Sequence, residues 1–161
     1  MRRAGECWTA VAGVLGRYGL ALAPVADGAA IPGSYWGAPE AGLRRRTVYA
    51  RGDTPVHSVL HEAAHVVCMS PDRRRALQTD AGGTELEECA VCYLQIVLAL
   101  PLYDDDLDAV CADMDAWGYT FRLGSARAWF EQDAADARLW LADHGLLSDA
   151  GRARFVLRGA A

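Results

Sequence analysis

One helix-length segment constrains this chain more than any other: Val56 to Val67 is apolar at most positions yet carries His57, His61, Glu62 and His65. At about 3.6 residues per turn, His61 and His65 project from one face a turn apart, with Glu62 beside them. A helix apolar on nearly every other position is a buried one. Polar groups left unpaired in such an interior cost on the order of 2 kcal/mol or more each, so the two imidazoles and the carboxylate need partners. One metal ion satisfies all three: the imidazoles coordinate it, and Glu62 is placed to take a proton from water held there. Asp53-Thr54-Pro55 precedes the run, which predicts Thr54 or Asp53 as N-cap and Pro55 at the first helical position.

Two histidines leave such an ion short of a ligand. The metzincin subclass of metallopeptidases continues the segment with a glycine and a third histidine, at positions occupied here by Cys68 and Pro71, and so is excluded. The other common arrangement takes a glutamate from a following helix, and Glu85 to Gln95 reads as such a helix with three candidates, Glu85, Glu87 and Glu88. Glu88 is the expected ligand, because it lies deepest and is followed by small residues that allow close packing. Glu85 and Glu87 sit nearer the helix start, where carboxylates serve the helix dipole. His57 repeats the four-residue step, but it stands roughly 12 Å along the axis from His65, too far to share an ion with both. It is expected as a polar residue of the first turn, or as a contact at the site rim.

His61, Glu62, His65 and Glu88 together resemble the gluzincin-type metallopeptidases, whose third ligand is such a glutamate. That resemblance implies zinc, an open fourth position for water, and Glu62 as general base. A second resemblance covers residues 45–102: Thr47 to Gly52, the His61 helix, Arg73-Arg74, Asp80, and Glu85 with Glu88 follow the order of the bacterial elongation factor P hydroxylases. It implies an iron-dependent oxygenase with a two-histidine, one-carboxylate site. Ala81-Gly82-Gly83-Thr84 replaces the aromatic-rich segment of that family, a departure that bears on substrate more than on the triad. Both resemblances imply the same three ligands. An oxygenase needs no base beside the metal, whereas hydrolysis does, and Glu62 occupies that place.

Composition bounds the partners. With 52% hydrophobic and 23% charged residues in 161, the chain reads as one globular domain, residues 1–161. All 16 basic residues are arginines, and the net charge is −5, so Arg44-Arg45-Arg46 and Arg73-Arg74-Arg75 read as solvated faces rather than a basic patch. No nucleic-acid partner is expected. Five cysteines, an odd number, point to a reducing compartment. Cys68, Cys89 and Cys92 read as packing thiols rather than a second soft metal site. Glu6, Arg17 and several glycines break the would-be signal segment, and no stretch approaches ~20 clean apolar residues, so no membrane partner and a cytoplasmic location are expected.

The expected architecture is α+β and zincin-like, with a small N-terminal sheet whose edge strand lies beside the His61 helix and a mostly helical C-terminal half. Strands are predicted at Gly19 to Ala23, at Thr47 to Arg51 and within the loop at Ser34-Tyr35-Trp36; the edge strand would pair with an extended peptide. Helices are predicted over the first amphipathic segment, to Pro101, from about Asp105 to Trp117, over Ser125 to His144, and after Ser148. Among the later aromatics, Trp117, Tyr119, Phe121, Trp129 and Trp140 read as core more than pocket. Tyr93 and Tyr119 are alternative phenols to steady an oxyanion. Asp80 either orients a ligand histidine or caps the Gly82-Gly83 turn. The expected function is metal-dependent hydrolysis of a peptide or protein with zinc, the alternatives being an iron(II) hydroxylase and an inactive metallo-fold that binds partners.

Overall fold

The computed structural model describes residues 1–160. The chain is α+β: among the described residues a three-stranded mixed sheet of β1 (Ala21–Pro24), β2 (Gly42–Arg44) and β3 (Thr47–Ala50) packs beside seven α-helices. β3 is central, parallel to β1 with Ala21 opposite Thr47, and antiparallel to β2 with Leu43 opposite Val48. Leu43, Val48 and Ala50 are fully buried and draw the sheet onto α2 (Val56–Cys68).

The predicted strand at Ser34-Tyr35-Trp36 is instead a series of turns. The Glu40 carboxylate accepts the Trp36 N–H at 2.8 Å, and the Ser34 hydroxyl accepts the Gly37 N–H at 3.1 Å. Those local bonds consume the donors a ladder would need. The strand forms at Gly42–Arg44 because Leu43 supplies the buried side chain. Its outer edge is not free, since the Leu43 N–H reaches the Gly33 carbonyl at 3.4 Å. A Cβ at Gly42 would stand 1.9 Å from the Pro32 carbonyl oxygen, so only glycine allows this approach. The expected docking of a peptide by strand addition therefore does not fit this edge.

Helix α2 begins at Val56, one residue later than expected, and Thr54 does not cap it. The Thr54 hydroxyl closes its own turn by accepting the Arg51 N–H at 3.0 Å. The N-terminal segment replaces the cap: the Arg2 carbonyl accepts the Val56 N–H at 3.0 Å, and the Ala4 N–H bonds the Thr54 carbonyl at 2.7 Å. A helix absent from the expectations, α3 (Pro71–Ala76), follows Ser70, whose hydroxyl caps it, with proline at its start.

Helix α4 (Glu85–Ala99) crosses α2 as its main partner. The Thr84 hydroxyl caps it through the Glu87 N–H at 3.2 Å, and three glutamates in the first turn favour the positive end of its dipole. A 3-10 turn extends it to Tyr103, and this 19-residue run is long and apolar enough to cross a membrane, contrary to the reading of the sequence. Most of the run is buried inside the fold, and it serves as the central helix.

Helix α1 (Trp8–Arg17) packs on β1, α5 is Leu107–Trp117, and α6 (Ala126–Gln132) and α7 (Ala135–Asp143) split the segment expected as one or two helices. Among the described residues no helix follows Ser148. Gly151 adopts a left-handed conformation, φ 75°, its N–H bonds the Ser148 carbonyl at 2.8 Å, and Leu147 bridges Ala153 across the turn.

Candidate metal centre

The α2–α4 crossing brings together His61, His65 and Glu88, whose donor atoms lie within 4.8 Å of one another. His61 Nε2 and His65 Nε2 stand 3.1 Å apart; Glu88 Oε1 is 3.2 Å from the first and Oε2 is 3.4 Å from the second. Ligands about 2.1 Å from a tetrahedral ion are separated by about 3.4 Å, and adjacent ligands of an octahedral one by about 3.0 Å. The separations fall in that range, with one carboxylate oxygen facing each histidine. Among the described residues no fourth donor joins the group.

The tautomer of His61 follows from its surroundings. Its Nδ1 lies 2.9 Å from Gln95 Oε1, an acceptor, so Nδ1 carries the proton and Nε2 points its lone pair at the triad centre. Gln95 is fully buried, and its amide nitrogen donates to the Tyr119 hydroxyl oxygen at 3.4 Å. The bonds run in one direction, from His61 to Gln95 to Tyr119, which leaves the Tyr119 proton free to be donated elsewhere. Gln95 did not emerge from sequence reasoning as a site residue. Two signals were present: it follows Glu88 by seven residues, on one helical face, and it is an amide within an apolar run.

Charge in the centre is shared unevenly. Burial opposes a proton on His61, but Tyr119, Cys92 and Glu88 outweigh it and raise its pKa well above the ordinary value. Burial, then the neighbouring His61, lower His65 to about 4. Burial works to raise Glu88, but its hydrogen bond to His61 and the charges of both histidines hold it below the usual range. Two imidazole nitrogens and a carboxylate facing one point are a donor set that a cation, proton or metal, would complete.

Glu62 faces the cavity on the same side. Burial pushes its carboxyl up to about 7, with Glu40 and Glu88 adding to the effect and His61 opposing it. A cavity of about 270 Å³ is lined by Tyr35, Trp36, Glu40, Glu62, Asp80 and the triad, and one of about 500 Å³ by Trp36, Trp117 and Tyr119 with His61 and Glu88. Tyr35 and Trp36 are more than four-fifths exposed at its mouth. These two and Glu40 were not singled out from the sequence, because they arrive on a loop with no periodic signal.

The other candidates sort clearly. Glu87 turns away and is buried against Arg73, 2.7 Å from Nη1, with Arg158 at 3.5 Å. Glu85 is exposed in the first turn of α4. Asp80 lines the smaller cavity, but its carboxylate caps the turn by accepting the Gly82 N–H at 3.0 Å, and His65 Nδ1 is left without a partner. Tyr93 lies on another face of α4, stacked on Phe130 at 4.5 Å, and lines a separate cavity. Tyr119 is therefore the phenol at the triad. Its position comes from Gly118, whose left-handed φ of 107° ends α5 after Trp117 and turns Tyr119 back against the histidines of α2.

His57 is no rim residue. It is 1% exposed, packed edge-on against Trp117 and Tyr119, and neither ring nitrogen has a partner among the described residues. Phe121 and Trp129 stack behind Tyr119, and Trp140 packs on His144. Cys68 is buried with its thiol pushed far up by that burial, as for a packing residue.

The chain was compared with family models, with curated proteins and with solved structures, and none matches.

Proposed function

We propose that this protein is a metal-dependent hydrolase of zincin-like type that acts on a peptide or amide bond, with His61, His65 and Glu88 holding zinc. The observation that carries this reading is the position of Glu62, a carboxylate in the same cavity as three donors spaced for one ion. Zinc held by these three residues would supply Lewis acidity for a carbonyl and for water. Glu62 is placed to take a proton from water in the cavity and to return it to the leaving nitrogen. The Tyr119 hydroxyl, whose oxygen already accepts from Gln95, donates to the oxygen on which negative charge develops. Gln95 holds His61 in the tautomer that offers Nε2. Trp36 and Trp117 supply apolar walls for a side chain flanking the reacting bond.

A second reading, iron-dependent hydroxylation of a protein side chain, draws on the same two histidines and one carboxylate, a donor set that also suits iron(II). It accords with the likeness of residues 45–102 to elongation factor P hydroxylases. Metal analysis after anaerobic purification separates the two. One zinc per chain together with hydrolysis of a peptide library supports the hydrolase. Iron with substrate-dependent oxygen consumption overturns it.

A further inference from the structure

The two arginine runs, expected as solvated faces, converge. Arg45 and Arg46 from the β2–β3 loop and Arg74 and Arg75 from α3 line one cavity of about 560 Å³, closed by Leu77 and Gln78. No carboxylate lines it. Arg75 makes only an exposed pair with Asp72, while Arg45 and Arg46 form no ion pair among the described residues. In a chain of net charge −5, gathering four arginines around one cavity with only the exposed Asp72 as counter-charge is an electrostatic cost that an anion relieves.

The backbone is built to keep them there. Arg45 has φ 54°, a left-handed conformation that glycine adopts freely and arginine does not, at the first position of a two-residue hairpin loop where glycine is the ordinary choice. Its N–H is tied to the Gln78 carbonyl at 3.0 Å, which fixes the loop against the segment after α3. Arg74 is half-buried and anchored by Nε to the Val66 carbonyl and by Nη2 to those of Met69 and Arg158, at 2.7–3.1 Å. Its Nη1 hydrogens remain uncommitted. Burial, then the nearby Arg46, Arg158 and Arg75, lower its pKa, as expected for crowded like charges.

We propose that the cavity between the β2–β3 loop and α3 binds a compact phosphate-bearing ligand, a phosphomonoester or diphosphate, on Arg45, Arg46, Arg74 and Arg75. Planar guanidinium forks match phosphate oxygens in pairs, and several of them around one cavity suit a dianion better than a single carboxylate. Single-stranded nucleic acid fits less well, because no aromatic side chain lines the cavity for a base to stack on. Gln78 is followed directly by Thr79 and Asp80, which line the cavity beside the triad, so one stretch of chain runs from one cavity to the other. The proposal does not depend on what the triad catalyses.

Calorimetric titration with pyrophosphate tests it, comparing the protein with Arg45→Gly/Arg46→Ser and with His65→Ala. The arginine variant relieves the left-handed arginine and should fold, as circular dichroism verifies. Saturable binding weakened at least tenfold in the arginine variant, unchanged in His65→Ala, and falling with added salt is the expected result. Equal affinity of the arginine variant and the parent overturns the proposal, as does loss confined to His65→Ala or absence of saturable binding by the parent. Tighter binding of a single-stranded RNA oligomer than of pyrophosphate overturns the assignment to a compact ligand.

Discussion

Gln95 Oε1 lies 2.9 Å from His61 Nδ1, and the residue is fully buried where it makes that bond. A neutral amide can accept from His61 on one side and donate to Tyr119 on the other. Gln95→Leu removes both bonds and leaves the imidazole free to turn or change tautomer. Metal affinity should fall about 10- to 100-fold, the usual loss when such an orienting partner is removed. Competition against a chromogenic chelator measures it. An unchanged affinity would show that packing alone orients His61.

Glu62 and the triad separate in function, though His61 and Glu62 are neighbours in sequence. Glu62→Gln keeps the shape of the side chain and removes the base. Metal content should stay at the parent level while hydrolytic turnover drops by about two to four orders of magnitude, the range for losing a positioned general base. Metal analysis and peptide turnover on the same preparation check both halves. A variant that retains turnover would remove Glu62 from the mechanism.

Glu88 and Glu87 are adjacent yet should fail in opposite ways. Glu88 is about half exposed and faces the histidines, so Glu88→Ala should abolish stoichiometric metal binding with little loss of stability. Glu87 is buried against Arg73, which is itself about a third exposed, so breaking the pair from one side destabilises, though less than for a fully buried pair. Glu87→Gln should therefore lower the thermal midpoint while the folded fraction still binds metal. Scanning calorimetry with metal analysis distinguishes the two, and metal loss in Glu87→Gln alone would reverse the assignment.

What could be read from the sequence was whatever depended on spacing within one element. The His61–His65 step rests on helical periodicity and the choice of Glu88 over Glu87 on its depth in the helix and the small residues after it, and the structure places those donors together. The α+β class and β3 followed from local patterns in the same way. What could not be read depends on contacts across the chain. Glu40 and Ser34 redirect a segment whose composition suggested a strand, Gly33 covers the edge that a peptide was expected to join, and the Arg2 backbone replaces the side-chain cap of α2. His57 is the sharpest case. Its spacing predicts a polar first turn, whereas Trp117 at the end of α5 and Tyr119, turned back by Gly118, bury it.

That burial gives acid sensitivity with a definite sign. Burial lowers the His57 pKa to about 4 against an ordinary value near 6.5. Between those values the unfolded chain takes up a proton that the folded protein refuses, so stability falls as pH drops from about 6.5 to 4 and changes little above that window. The shift corresponds to about 3 kcal/mol, and the imidazole is too buried for solvent to screen it much. Leucine at this position has no nitrogens to leave unpaired and fits an apolar site between two aromatic rings. His57→Leu should match or exceed the parent at pH 7 and lose less stability on acidification. Denaturant unfolding at pH 7, 6, 5 and 4 gives the comparison. Parallel stability curves for the two proteins would show that the acid response arises elsewhere, whereas curves that diverge only below about 6.5 assign it to His57.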